Sequence, residues 1–385
     1  MIRPAWVSFV CVDRLKLDRV EFLHRDPIGA RRVKIKSAKN EVPIITPVRG
    51  LTSTESNHRN NLLTSMPFEE PFENPIFELI GHFSHADVTA LRSKNGIFDL
   101  RMRNYRSHCR RYSEMITKFF PRITGVERLD ITDIRALIDL QLESGFDIIA
   151  IPEPRLDGDI SDFDRNVARF SEYVSNRGAE PMPYVDMLNE NSIFRQKIRR
   201  VASYLPNIRC LGLTFRPFTR YYPNFLAVGE EIGDVDIWIH QSNVPRIHSQ
   251  TIPLAEMHLP QMYSIDSTTL ESRQVMAPLQ VKPLLRVRKF VEKTLGEVKL
   301  QDIRSKTEPD SDCKCPTCTS MSRIHKLRDI DIATKVHETF RSTKEFEKSR
   351  ESIRHDDMKS YVQSRKYLSQ SLSQTPARST SLTDF

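Results

Sequence analysis

Three cysteines within six positions, Cys313-Lys-Cys315-Pro-Thr-Cys318, form the densest group of metal-binding side chains in the chain. Thiolates at this spacing share one tight turn, and one added imidazole completes a closed tetrahedral zinc site. His337, in a helix-patterned segment at 330–346, supplies that imidazole, with His325 as the alternative fourth ligand. Such a site organises structure and leaves no coordination position open for catalysis. Its thiols must be reduced. Six cysteines in 385 residues, half of them crowded together, argue against a disulfide framework and predict a reducing, cytoplasmic compartment.

A second set of reactive side chains falls at the ends of short apolar runs: Asp99, Glu153, Asp186, Thr214, His240 and Asp266. Most residues of this kind begin loops and cap the following helix. Two or three of them facing a common pocket would supply general acid, general base or nucleophile.

The runs themselves, 44–48, 76–80, 96–100, 147–151, 182–187, 209–214, 235–240 and 261–266, read as eight β-strands. Segments with helical apolar spacing, such as 133–142, 163–174 and 193–204, separate the later ones. Strand and helix alternating over this length predict an α/β fold, a (β/α)8 TIM barrel, whose chemistry lies at the C-terminal ends of its strands. The expected organisation is a barrel with an N-terminal β extension over 1–280, a zinc-binding helical subdomain over 281–368 and a disordered Ser/Thr-rich tail over 369–385.

Composition narrows the function. The 12 glycines never fall in the spacing of a dinucleotide fingerprint or a phosphate loop. No stretch has the ~20 apolar residues of a membrane helix, so the chain reads as soluble and unprocessed. A net charge of +8 suits a polyanionic partner. Residues 92–111 concentrate that charge: Arg92, Lys94, Arg101, Arg103, Arg106, Arg110 and Arg111 surround the single acid Asp99. Following the expected strand at 96–100, Arg101, Arg103, Arg106, Arg110 and Arg111 would hold nucleic-acid phosphates at the barrel's catalytic face. The plainer alternative is a solvated helix face.

A C-x-C-x-x-C knuckle behind a (β/α)8 barrel, closed by a histidine in a C-terminal helix, resembles the tRNA-guanine transglycosylases and their DNA-acting relatives that insert 7-deazaguanines. The likeness runs from about residue 34 to 365. Lys34–Gly50, with Thr46-Pro47, resembles the family's opening hairpin and first strand; 147–153 its fourth strand; Leu211-Gly212-Leu213 its sixth-strand turn; and Tyr263-Ser-Ile-Asp266-Ser its eighth strand. The resemblance implies a pentosyltransferase that exchanges guanine in a polynucleotide for a 7-deazaguanine such as preQ0. It implies Asp266 as nucleophile, Asp99 as second catalytic carboxylate, Glu153, Gly212 and Leu213 as base-binding residues, and Zn2+ held by Cys313, Cys315, Cys318 and His337. A carboxylate nucleophile suits that chemistry because it holds the ribose covalently while one base leaves and another enters. The target nucleotide must be flipped out of its stack to reach such a pocket.

The chain departs from the family at the third strand, where Asp99-Leu100-Arg101 replaces a glycine-rich turn, and at the fourth, where the acid is a glutamate. The family's commonest polymer is tRNA; DNA is the alternative substrate. A different class of function is a non-catalytic, zinc-containing nucleic-acid-binding subunit of a transglycosylase complex. The resemblance also suggests a homodimer or a partner subunit, and no membrane.

Overall fold

In a computed structural model of the chain, residues 15–22, 29–37, 43–53, 55, 75–94, 96–125, 128–154, 158–204, 207–249, 251–271, 288–299 and 327–374 are described. Strands β1 (Leu15–Phe22), β2 (Arg31–Ser37) and β3 (Ile44–Ile45) form a small antiparallel sheet. The chain then enters β4 (Val48–Arg49), β5 (Leu51–Thr52) and β6 (Ile76–Phe83), followed by α1 (His85–Arg92) and α2 (Gly96–Arg111). Strand and helix then alternate: β7 (Ile116–Ile123), α3 (Ile131–Ser144), β8 (Ile148–Ile151), α4 (Ile160–Ser175), β9 (Glu180–Asp186), α5 (Asn191–Ser203), β10 (Cys210–Thr214), α6 (Phe218–Ile232), β11 (Trp238–Val244) and β12 (Ser267–Leu270).

Every neighbouring pair in the large sheet is parallel, in the order β4-β12-β11-β10-β9-β8-β7-β6-β5. Its two end strands, β4 and β5, are pieces of one strand broken at Gly50, so the sheet closes on itself as an eight-stranded (β/α)8 barrel. Gly50 is where that closure is tightest: a Cβ there would lie 2.5 Å from the Thr269 methyl.

Local sequence explains the elements. The start of α3 is fixed by Asp130 and Asp133 in a reciprocal capping box, and its end by Gly145 at φ +87°, a left-handed conformation that glycine adopts without strain. In α4, Phe163, Val167, Phe170 and Val174 recur at helical spacing and are buried.

Two strands differ from the sequence reading. Residues 96–100 belong to α2, because Phe98, Tyr105 and Cys109 continue a helical stripe into the core while Ile97 and Leu100 are exposed. The strand in their place is β7, hidden in the sequence by Lys118, Pro121 and Arg122 within an apolar run. The eighth strand starts at Ser267, after a 3-10 turn at Pro260–Tyr263 and a left-handed Ser264 at φ +62°.

After β12 come the hairpin β13 (Arg288–Val291) and β14 (Gly296–Lys299), then α7 (Leu327–Arg354), α8 (Met358–Gln363) and α9 (Lys366–Ser373). Helix α7 follows the eighth strand and packs outside β4, as the last helix of such a barrel does. Phe290, Leu295, Phe346, Ile353, Tyr361 and Leu368 share one apolar cluster with the barrel helices, so the described part of 281–368 is continuous with the barrel rather than a separate body. The tail expectation is likewise corrected at its start: 369–373 are helical, and Leu372 is buried. The knuckle Cys313, Cys315 and Cys318, the alternative ligand His325 and the tail beyond 374 lie outside the described residues. Among the described residues, no helix is long and apolar enough to cross a membrane.

Candidate active site

Side chains alternate in and out along each barrel strand. Ile76, Ile80, Ile116, Phe120, Ile148, Ala150, Met182, Tyr184, Cys210 and Trp238 fill the interior. On the same inward phase lie Glu78, Lys118, His240, Ser242 and Thr269, all fully buried. Lys118 pairs with Glu78 and donates to the Tyr184 hydroxyl (2.8 Å) and to Ser242 Oγ (3.3 Å). Ser242 Oγ donates to Glu78 Oε1 (2.6 Å) and lies 2.7 Å from the Tyr184 hydroxyl, while Thr269 donates to the other Glu78 oxygen. His240 Nδ1 lies 2.7 Å from Ser267 Oγ, with Nε2 3.5 Å from Glu78.

The network ties strands two, three, five, seven and eight together. Burial alone would raise the Glu78 carboxyl, but the Lys118 ammonium, helped by a hydrogen bond from His240, outweighs it and holds the group well below the usual carboxylate range. Burial, helped by the Lys118 charge, pushes His240 down to about 4 against the pull of Glu78, so the imidazole is neutral. The cluster is closed, each charge answered within it. It forms the floor beneath the barrel mouth.

The mouth is lined by residues at the C-terminal ends of strands. Arg122, the inward residue at the end of β7, reaches across the barrel and donates to the Asn243 side-chain oxygen at 3.1 Å. Asn243 sits where the β11–β12 register shifts, at φ +65°. Asp186, last in β9, is gripped bidentately by Arg216 (2.8 and 2.6 Å). Glu271 directly follows β12, its N–H donating to the Val244 carbonyl at 2.7 Å, and His82 is the register partner of Arg122 on β6.

The residues expected from sequence do not converge. Asp266 precedes β12 and so lies at the N-terminal end of the barrel, opposite the mouth. It is fully buried and held by Arg31 Nε (3.0 Å) and Nη2 (2.5 Å), Thr46 Oγ1 (3.2 Å) and the Ile239 N–H (2.7 Å). Burial pushes its carboxyl up against the pull of Arg31. The expectation that it ends the eighth strand fails because Tyr263–Ile265 are spent on the turn that enters the strand.

Asp99 lies exposed in the first turn of α2 on the outer wall. Glu153, at the end of β8, does reach the mouth side, but its oxygens are taken by Lys197, the Asn189 amide (3.1 and 3.2 Å) and the Asp186 N–H (2.7 Å). It therefore locks the loops after β8 and β9 together. Gly212 faces inward, where a Cβ would meet the Tyr184 ring at 2.5 Å, so it makes room for Tyr184. Leu213 faces outward into the apolar layer beneath the helices.

The basic stretch also moves. It lies on α1 and α2, between the second and third strands, and not beyond the third strand at the mouth. Arg101 pairs with Asp87 (2.6 Å) and lies over the Phe83 ring, Arg106 donates to the Glu143 carbonyl (2.6 Å), and Arg103 donates to the Asp99 carbonyl (3.3 Å). Arg110 and Arg111 are exposed.

Of the metal ligands, only His337 is described. It is fully buried on α7, and its Nε2 lies 2.9 Å from the Phe290 carbonyl, to which only an N–H can donate. That bond leaves Nδ1 as the nitrogen with a lone pair, the arrangement in which a carbonyl orients a metal-binding imidazole. Among the described residues, no three histidine, cysteine, aspartate or glutamate side chains are grouped to hold a metal ion.

Sequence reasoning missed Glu78, Lys118, Arg122, Tyr184, Ser242, Asn243 and Arg216. One signal was available: Glu78 and Lys118 each stand two residues into an apolar run, on the same inward phase of neighbouring strands.

No protein-family model matches the sequence, and no curated protein is significantly similar to it. Among solved structures, the chain is similar to one assigned as a fructose-1,6-biphosphate aldolase of Coccidioides immitis (12% identity, 78% of this chain and 92% of that one, TM-score 0.38). It is also similar to a xylose isomerase-like TIM barrel/4-hydroxyphenylpyruvate dioxygenase fusion protein (11% identity, 70% and 46%, TM-score 0.34). Neither likeness is close enough to carry chemistry across.

Proposed function

We propose that the chain exchanges a guanine in a polynucleotide for a 7-deazaguanine at the mouth of its barrel. The observation that supports this most is the set of charged residues at the C-terminal ends of strands, Arg122, Asp186 with Arg216, and Glu271 directly after β12, on the barrel that the sequence resemblance implies. A carboxylate attacks the ribose C1′ as the guanine leaves with its bonding electrons and takes a proton. The incoming base then loses a proton and displaces the carboxylate, restoring the glycosidic bond.

Asp266 stands at the wrong end for this role. Glu271, at the mouth end of the same strand, is the carboxylate we place there. Asp186 has a lone pair left to accept from the N–H edge of the base, and His82 is the titratable group placed to move the proton. Zinc belongs to this reading as a structural ion: Cys313, Cys315, Cys318 and His337 would hold it, joining the segment before α7 to the barrel.

The test is incorporation of radiolabelled guanine by the full chain, with tRNA and duplex DNA offered separately. Incorporation into one polymer, abolished in Glu271→Gln and retained in folded Asp266→Asn, is expected. Loss in a folded Asp266→Asn variant with activity kept in Glu271→Gln would return the nucleophile to Asp266.

One observation favours a second reading, a non-catalytic nucleic-acid-binding subunit: Asp99, Glu153 and Asp266 do not meet. Binding to either polymer without incorporation into it would establish that reading instead.

A further inference from the structure

The third barrel strand sends two cations across the barrel toward the seventh, and they are treated differently. Lys118, deep inside, has its charge answered by Glu78. Arg122, two inward positions higher, has as its hydrogen-bond partner the neutral side chain of Asn243, and among the described residues no carboxylate lies within ion-pair distance of it. Arg216, by comparison, is clamped by Asp186. A half-buried guanidinium held by an amide is fixed in position yet keeps its charge and most of its five donors for something else. Asn243 presents its side chain from a left-handed backbone, at φ +65°, where the β11–β12 register shifts. His82 stands beside Arg122 on the neighbouring strand.

We propose that Arg122, braced by Asn243 across the barrel mouth, is an anion anchor that takes a phosphate group of the ligand. The guanidinium fork matches two phosphate oxygens, and placement over the closed floor puts the phosphate at the rim with the nucleoside reaching inward. This rests on the reading that the mouth receives a nucleotide, but phosphate binding can be read without any base exchange.

Titration calorimetry on the full chain with guanosine 5′-monophosphate, guanosine and inorganic phosphate tests it. The monophosphate is expected to bind at least tenfold more tightly than guanosine, with inorganic phosphate competing. Arg122→Gln, folded by circular dichroism, is expected to bind both at the same affinity and to lose the competition. Asn243→Ala keeps the charge but frees its arm, and is expected to reduce the phosphate advantage at least threefold, which decides the matter should Arg122→Gln not fold.

No phosphate advantage in the unaltered protein, or an unchanged advantage in either folded variant, overturns the anchor. A phosphate advantage that depends on Arg122, in a protein that incorporates guanine into neither polymer, upholds the anchor and removes only the exchange reaction.

Discussion

Arg31 on β2 and Asp266 at the entry to β12 form a fully buried ion pair that fastens the N-terminal sheet to the N-terminal end of the barrel. The remaining donors of Arg31 cap the carbonyls of Ile232, Gly233, Val235 and Ile237, where α6 returns to β11. The pair thus satisfies backbone groups that would otherwise be orphaned at a buried turn.

Asp266→Ala is expected to destabilise the protein by about 3–5 kcal/mol, because it leaves Arg31 buried and uncompensated. Replacing both partners together, with Arg31→Met and Asp266→Ala, should cost less than the sum of the two single changes. Urea unfolding of the four proteins measures the coupling. A double variant as unstable as the sum would show that the two side chains act separately.

The same logic applies inside the barrel. Lys118→Met removes the charge that keeps Glu78 ionised and leaves the carboxyl fully buried with only hydroxyls and a neutral imidazole beside it, and about 3–5 kcal/mol should be lost. Adding Glu78→Gln should recover part of that, since the amide needs no counter-charge. No recovery by denaturant unfolding would mean that Lys118 stabilises mainly by packing its stem and by its bonds to Tyr184 and Ser242.

These two pairs show what was legible in the sequence and what was not. Apolar periodicity marked α3, α4, α5 and most barrel strands, because half of every strand and one stripe of every helix must be buried. It misread 96–100 because Ile97 and Leu100 mimic a strand while pointing at solvent, and it missed β7 because a buried lysine looks exposed until its glutamate, 40 positions away, is known. Asp266 was misplaced for a related reason. Four residues of shift, caused by Pro260 and the left-handed Ser264, move a side chain from one end of a four-residue strand to the other.

His337 gives a readout for the metal. If Cys313, Cys315 and Cys318 bind zinc with His337 Nδ1, the purified chain should carry about one zinc per molecule, and a strong chelator should lower its melting temperature. Cys315→Ser and His337→Ala should each lower the zinc content. Retention of full zinc in His337→Ala, with loss in His325→Ala, would assign the fourth ligand to His325. The Phe290 carbonyl makes His337 the expected one, because an Nε2–H bonded to it orients the ring with Nδ1 as the ligand nitrogen.

His258 sets an acid limit on stability. It is fully buried against the rings of Phe290 and Phe346, neither ring nitrogen has a hydrogen-bond partner among the described residues, and burial together with Arg49 and Arg365 pushes its pKa from 6.5 to about 3. His240 is pushed to about 4 in the same sense. A histidine whose pKa is lower folded than unfolded takes up its proton preferentially when unfolded. Its contribution is therefore intact above about pH 6.5 and is lost as the pH falls toward the folded value, by up to about 1.4 kcal/mol per pH unit. Unfolding free energy should thus drop by about 2 kcal/mol for each of His258 and His240 between pH 7 and pH 5. His258→Leu, of similar volume and without polar atoms, should remove one histidine's share of that slope while changing stability at pH 7 by less than about 1.5 kcal/mol. Guanidinium unfolding at the two pH values measures both quantities, and an unaltered slope in the variant would show that His258 is already protonated or solvated in the fold.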